Sequence, residues 1–384
     1  MCTHRNHFLK SFGGAVLIII CAVMFSLFKP APVNGDTTNI PEENVLRLLV
    51  WENYTPEKIV EAFEKEIEAR YKKKIRLEIK YAVTPDDFYD AVRSNKVDLI
   101  TITHDEIKEK KYGYIKKKLI LPYDLKNVPN HVNIIPNIKD ADYHTSEGRL
   151  YGMPVANGPY GLAYNTEFFK QPPKSWKVFW EPAHKNKYLL GKGQYIYNVN
   201  ITAMVSGYPK EDISNFDKLN NPEFREKLKQ LAMNANGFWV GVDKPEDLLG
   251  MSCAASWSDS LSGLKRKGEI WEMASPAEGT LWWIDDYLLT ASLADRPFMK
   301  MVAEKWVNKV LSTEFQVEHI LREVQIYPVI TGISDMLTDT ERKKVKPENY
   351  ADFMNSHVLR KVNSERNRNG LKLLWDEALG ARDQ

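Results

Sequence analysis

An α/β chain built as two lobes is the fold class that this sequence predicts, on three observations. From Val45 to Ile102, apolar runs at strand spacing alternate with runs at helical spacing, the order of a sheet with packed helices. The chain has 384 residues, more than the roughly 250 at which a single core stops growing. Its composition, 43% hydrophobic and 27% charged, is that of a globular protein with a large core. A formal net charge of only +2 provides no field that would track a phosphate backbone, so no nucleic-acid partner is expected.

The N-terminus stands outside that pattern. Arg5 and Lys10 precede an apolar run from Phe12 to Phe28, followed by Lys29 and the stretch Pro30, Ala31 and Pro32. This is the order of a secretory signal, and residues 1–35 are read as a signal peptide or N-terminal anchor. Uncleaved, the run is just long enough to span a membrane. The bulky Ile20 before Cys21 argues against a lipid anchor there. The rest of the chain is expected to be periplasmic or otherwise extracytoplasmic. Beyond the signal only Cys253 remains, so no intrachain disulfide is expected.

The mature chain opens with a strand pattern, Val45 to Trp51. Thr55 and Pro56 then offer a helix cap and first helical position, with Ile59, Phe63 and Ile67 at helical spacing. Ile75, Leu77, Ile79 and Tyr81 alternate as a second strand, Thr84, Pro85 and Asp87 open a second helix, and Val97 to Ile102 reads as a buried third strand. Glycines and prolines between Tyr151 and Tyr164 suggest a strand crossing a turn and make this run a hinge candidate. Further helices are predicted around Phe224, Leu228 and Leu231, along Phe298, Val302, Trp306 and Val310, and from Leu371 to Leu379. Repeats and coiled-coil heptads are missing, so a monomer is expected.

Signatures of catalysis are missing too. Gly191-Lys192-Gly193-Gln194 lacks the length and hydroxyl of a phosphate-binding loop, and no zinc pair, nucleophile elbow or Cys-x-x-Cys occurs. His104, beside Asp105 and Glu106, follows the third strand where open α/β sheets place ligand contacts, but no nucleophile accompanies it. It is read as a ligand contact, a hydrogen-bonding residue or a loop histidine. No enzymatic activity, metal or cofactor is expected.

The run Leu46-Arg47-Leu48-Leu49-Val50-Trp51-Glu52-Asn53-Tyr54-Thr55-Pro56 resembles the mature start of periplasmic spermidine/putrescine-binding proteins, the solute receptors of ABC importers. Tyr151-Gly152-Met153-Pro154, Leu248-Leu249-Gly250 before Trp257, the stretch from Pro276 to Asp285 and Ile326-Tyr327-Pro328 are similar to the family in kind and order. The resemblance implies a two-lobed periplasmic-binding-protein fold with crossing hinge segments. One lobe would take residues 45–157 and 284–328, the other residues 158–283 and 329–384. It implies a polyamine or related small organic cation as ligand and the membrane permease of an ABC transporter as partner. A ligand sensor of the same fold, docking on a membrane signalling receptor, is the alternative.

A polyamine needs carboxylates at its ammonium groups and aromatic faces along its methylenes. Trp51, Glu52, Asn53 and Tyr54 supply that mixture, as do Trp257, Ser258 and Asp259, and again Trp282, Trp283, Asp285 and Asp286. By resemblance, Trp51, Trp257 and Trp283 correspond to stacking tryptophans, Asp285 to the acid gripping a terminal amine, and Tyr327 to an aromatic hydroxyl near the hinge. Each also reads as ordinary core, cap or salt-bridge chemistry. Gln194 and Tyr197 fall where the family places acids, and both are neutral. Asp105 offers a replacement grip for a distal amine, or caps the helix that follows.

Overall fold

The computed structural model describes residues 40–239, 244–345 and 357–382; the expected signal segment lies outside them. Strand β1 (Val45–Val50) runs parallel to β2 (Arg76–Tyr81) on one side and β3 (Leu99–Thr103) on the other. Arg47 is the charged residue of β1, and buried Asp98 answers it at 2.7 Å while also holding Arg296 at 2.9 Å. The helix Glu57–Tyr71 buries Val60, Phe63 and Ile67 on one face. It starts later than expected: Pro56 is the cap residue, and the Thr55 hydroxyl is buried without a partner. Thr84 does open the helix Pro85–Arg93, its backbone N–H donating to Asp87 Oδ2 at 2.7 Å.

Two long strands carry the chain across the molecule. β4 (Gly152–Asn165) and β8 (Leu281–Thr290) pair antiparallel, with Gly158 opposite Trp283 and Asn157 opposite Ile284. The turn expected between Tyr151 and Tyr164 is instead uninterrupted strand, buried throughout. The glycines serve close packing there: a Cβ on Gly158 would lie 2.8 Å from Trp283 Cζ2, and one on Gly161 2.5 Å from Met273 Cε. Tyr327 supplies a third crossing, bridged to Asn157 by backbone hydrogen bonds of 2.8 and 3.1 Å. The Asn157 side chain ties the three together, donating to Pro328 O at 2.9 Å and accepting from Trp282 Nε1 at 2.8 Å.

The sheet continues from β4 through β7 (Cys253–Trp257) to β5 (Tyr188–Gly191) and β6 (Gly237–Trp239). Two hydrophobic cores result, one around β1, β3 and the helix Pro297–Val310, the other around β5, β7 and the helices Pro222–Asn234 and Glu365–Gly380. Trp257 packs against both. Val329, Ile330, Ile333 and Val345 join the first core, although the expected division put everything after Pro328 in the second lobe. The apolar side chains that follow the third crossing thus stay with the first core, and Val358 belongs to the second.

Candidate functional site

Asp285 sits at the centre. Strand alternation puts Trp283 and Asp285 on one face of β8 and Trp282 on the other. Asp285 pairs in register with Thr103, the last residue of β3, whose hydroxyl donates to Oδ1 at 3.0 Å. Tyr54, on the loop after β1, donates its hydroxyl to Oδ2 at 2.7 Å. That loop is fixed by the Trp51 N–H donating to Thr101 Oγ1 at 2.8 Å and by Asn53 in the left-handed region at φ 76°. Burial pushes the Asp285 carboxyl up to about 7, while the Tyr54 and Thr103 hydrogen bonds pull it down and the charge of Asp286 adds to the rise. Trp283 is 6% exposed, and its indole N–H is buried without a partner.

A second group faces this one. The short helix His104–Ile107 follows β3 and buries Asp105 and Glu106. Arg360, just past the short strand Val358–Leu359, pairs with Asp105 Oδ2 at 2.6 Å and reaches Glu106 Oε1 at 3.8 Å. It donates to the Tyr197 hydroxyl at 3.1 Å, with its guanidinium carbon 5.0 Å from that ring's centre. His104 Nε2 donates to Arg360 O at 2.8 Å, which leaves Nδ1 to accept from the Ile284 N–H at 3.3 Å. The histidine is thus a buried hydrogen-bonding residue. Asp105 does not cap the helix, because Thr103 holds that position; its carboxylate is taken by Arg360.

The second lobe contributes an aromatic corner. Tyr197, in the helix Tyr195–Val205, packs tilted by 30° against Tyr160 with ring centres 4.3 Å apart, and Trp257 meets Tyr160 and Tyr197 edge-on at centre distances of 5.1 and 6.4 Å. Gln194 lies over Gly191, where a Cβ would meet both Gln194 Cγ and Tyr160 Oη at 2.6 Å. The glycine is what lets these side chains approach.

Other predicted residues lie further out. Trp51 packs edge-on against Phe88 at 4.6 Å within the first lobe. Glu52 lines a cavity of about 400 Å³ at the lobe margin with Asn53, Asp259, Arg266, His319 and Glu323. Burial lifts the Asp259 carboxyl to about 7, with backbone hydrogen bonds opposing and the charges of Asp285 and Glu52 adding to the rise. Tyr327 packs on Trp282 at 5.0 Å with Lys344 Nζ 5.4 Å from its ring centre. That ring belongs to the crossing strands, and Trp282 faces away from Asp285. Asp286, just past the point where Val155 of β4 bulges out of register, is fully buried 3.3 Å from His144 Nδ1.

Three residues escape sequence reasoning. Thr103 is one of many strand threonines, and nothing local marks it as a partner of a residue 182 positions later. Arg360 is separated from Asp105 by most of the chain. Tyr160 lies in a glycine-rich run that reads as a turn.

The family model for bacterial extracellular solute-binding proteins matches residues 58–348. The chain belongs to that family. This solute-binding protein is similar to the spermidine/putrescine-binding periplasmic protein of Salmonella typhimurium, 24% identical over 277 residues that span 66% of this chain and 70% of that one. It is also similar to spermidine/putrescine-binding periplasmic protein 1 of Haemophilus influenzae, 20% identical over 74% of this chain and 77% of that one. Among solved structures, the spermidine/putrescine ABC transporter substrate-binding protein of Streptococcus pneumoniae superposes with a TM-score of 0.71 at 15% identity, covering 88% of this chain and 99% of that one. The family confirms the expected two-lobed solute-binding architecture. Asp285 and Trp283 lie on a crossing strand, and Tyr54, Asp105, Tyr197 and Trp257 on the elements that it joins.

Proposed function

We propose that this solute-binding protein is an extracytoplasmic receptor that captures a small organic cation through a primary ammonium and delivers it to the membrane permease of an ABC importer. One observation carries the reading: Asp285 is a nearly buried carboxylate whose two oxygens each receive one hydroxyl hydrogen bond, from Tyr54 and Thr103. Each oxygen keeps acceptor capacity for an ammonium. Trp283, two residues earlier on the same face of β8, offers its ring to the adjoining methylenes.

Capture follows from the electrostatics. Desolvation disfavours a lone charge on Asp285, and an arriving ammonium restores it by a charge-assisted hydrogen bond. Because Asp285 lies on a crossing strand and Tyr197 and Trp257 on the second lobe, closure brings aromatic faces over a cation held from the first. Calorimetric titration with alkyl mono- and diamines, a neutral sugar and a dicarboxylate tests this. Saturable binding of an amine alone supports the reading, whereas binding of only the neutral or anionic solutes rejects it.

A further inference from the structure

We infer that Arg360 is a built-in occupant of the binding cleft, its guanidinium filling a second cation position so that the site selects a monoamine over a diamine or polyamine. The inference rests on the amine reading of Asp285 and specifies which amine. Two buried carboxylates opposite an aromatic face are what a second ammonium would need. Arg360 already holds all of these groups, at 2.6 Å from Asp105, 3.8 Å from Glu106 and 3.1 Å from the Tyr197 hydroxyl, over the same ring.

The guanidinium is delivered by paired backbone. Leu359 is in register with Trp282 of β8, the Arg360 N–H donates to Trp282 O at 3.3 Å, and the Arg360 carbonyl accepts from His104. The same tail crosses again at Arg368, which pairs with Glu109. Asp285, by contrast, accepts its hydrogen bonds from the hydroxyls of Tyr54 and Thr103. A ligand with two ammonium groups would bring its second charge to a position that a guanidinium holds, and like charges repel.

Calorimetry with n-butylamine and butane-1,4-diamine, which share a carbon chain, tests this on the wild type and on Arg360→Gln, Arg360→Lys and Asp105→Asn. The wild type should bind n-butylamine at least as tightly as the diamine. Arg360→Gln should reverse the order, with the diamine about 10-fold tighter, the scale of one charge-assisted hydrogen bond; Arg360→Lys should keep the wild-type order. An unchanged ratio in Arg360→Gln, or a wild type that already favours the diamine 10-fold, overturns the inference while leaving the amine reading intact. Should Arg360→Gln not fold, Asp105→Asn decides: weakening of both amines alike supports Asp105 as the holder of Arg360, and selective loss of the diamine overturns it. A wild type that binds neither amine fails the reading of Asp285 itself, and this inference with it.

Discussion

The Tyr54 hydroxyl donates to Asp285 Oδ2 at 2.7 Å, across 231 positions of sequence, and so fixes the loop after the first strand against a strand that crosses between lobes. Its removal in Tyr54→Phe takes away a hydrogen bond that favours the ionised carboxylate. Amine affinity at neutral pH should fall by about 1.5–3 kcal/mol at most, the range for hydrogen bonds to charged groups. The variant should also need a higher pH than the wild type to reach full affinity, which titrations at pH 6, 7 and 8 will show.

The raised carboxyls make stability fall with rising pH in the ligand-free protein. Asp285 and Asp259 are both pushed up to about 7 by burial. Between their ordinary values near 4 and about 7, the folded chain binds protons that the unfolded chain has released, so the stabilisation present below pH 4 is lost as pH rises through 7. His144, raised beside Asp286 against the desolvation that lowers it, acts in the same sense, whereas His184, lowered by burial, opposes them. Denaturant unfolding should give a higher midpoint at pH 5 than at pH 8, with an amine ligand narrowing the difference. A flat profile would contradict the buried state of these acids.

Asn157→Ala should destabilise the protein by about 3 kcal/mol, because it removes the hydrogen bonds that the Asn157 side chain makes to the Trp282 indole N–H and the Pro328 carbonyl, at about 1–3 kcal/mol each. Chemical denaturation measures it. Ligand affinity should change less than stability, since these bonds join the crossing segments and do not touch Asp285.

Gly158→Ala places a methyl 2.8 Å from Trp283 Cζ2, closer than carbon atoms pack, so the indole must move. Amine binding should weaken several-fold while the second lobe, whose core excludes Trp283, keeps its fold. Calorimetry and near-ultraviolet circular dichroism check the two halves of this expectation.

Much of the fold was legible in the sequence because local pattern and tertiary role agree. Phe63 and Ile67 are buried on one helix face, as are Val302, Trp306 and Val310 on another. The run from Tyr151 misled because glycine and proline ordinarily signal a turn, whereas here Gly158 and Gly161 make room for Trp283 and Met273 in a continuous strand. At the candidate site, the sequence offered Trp283, Asp285 and Tyr54 as a mixture of acid and aromatic groups, and the fold joins Tyr54 to Asp285. The ion pair of Asp105 with Arg360 was not, because strand pairing across the chain creates it and neither residue's neighbours announce it.

The most direct measurement of the central claim is the affinity of Asp285→Asn for an amine that the wild type binds, by calorimetric titration with a parallel unfolding curve. The substitution nearly preserves shape and removes the charge. If Asp285 grips the ammonium, binding should weaken by about 10-fold to 150-fold, equivalent to about 1.5–3 kcal/mol for a charged hydrogen bond, with the variant still folded cooperatively. Equal affinity in a folded Asp285→Asn protein would contradict the account.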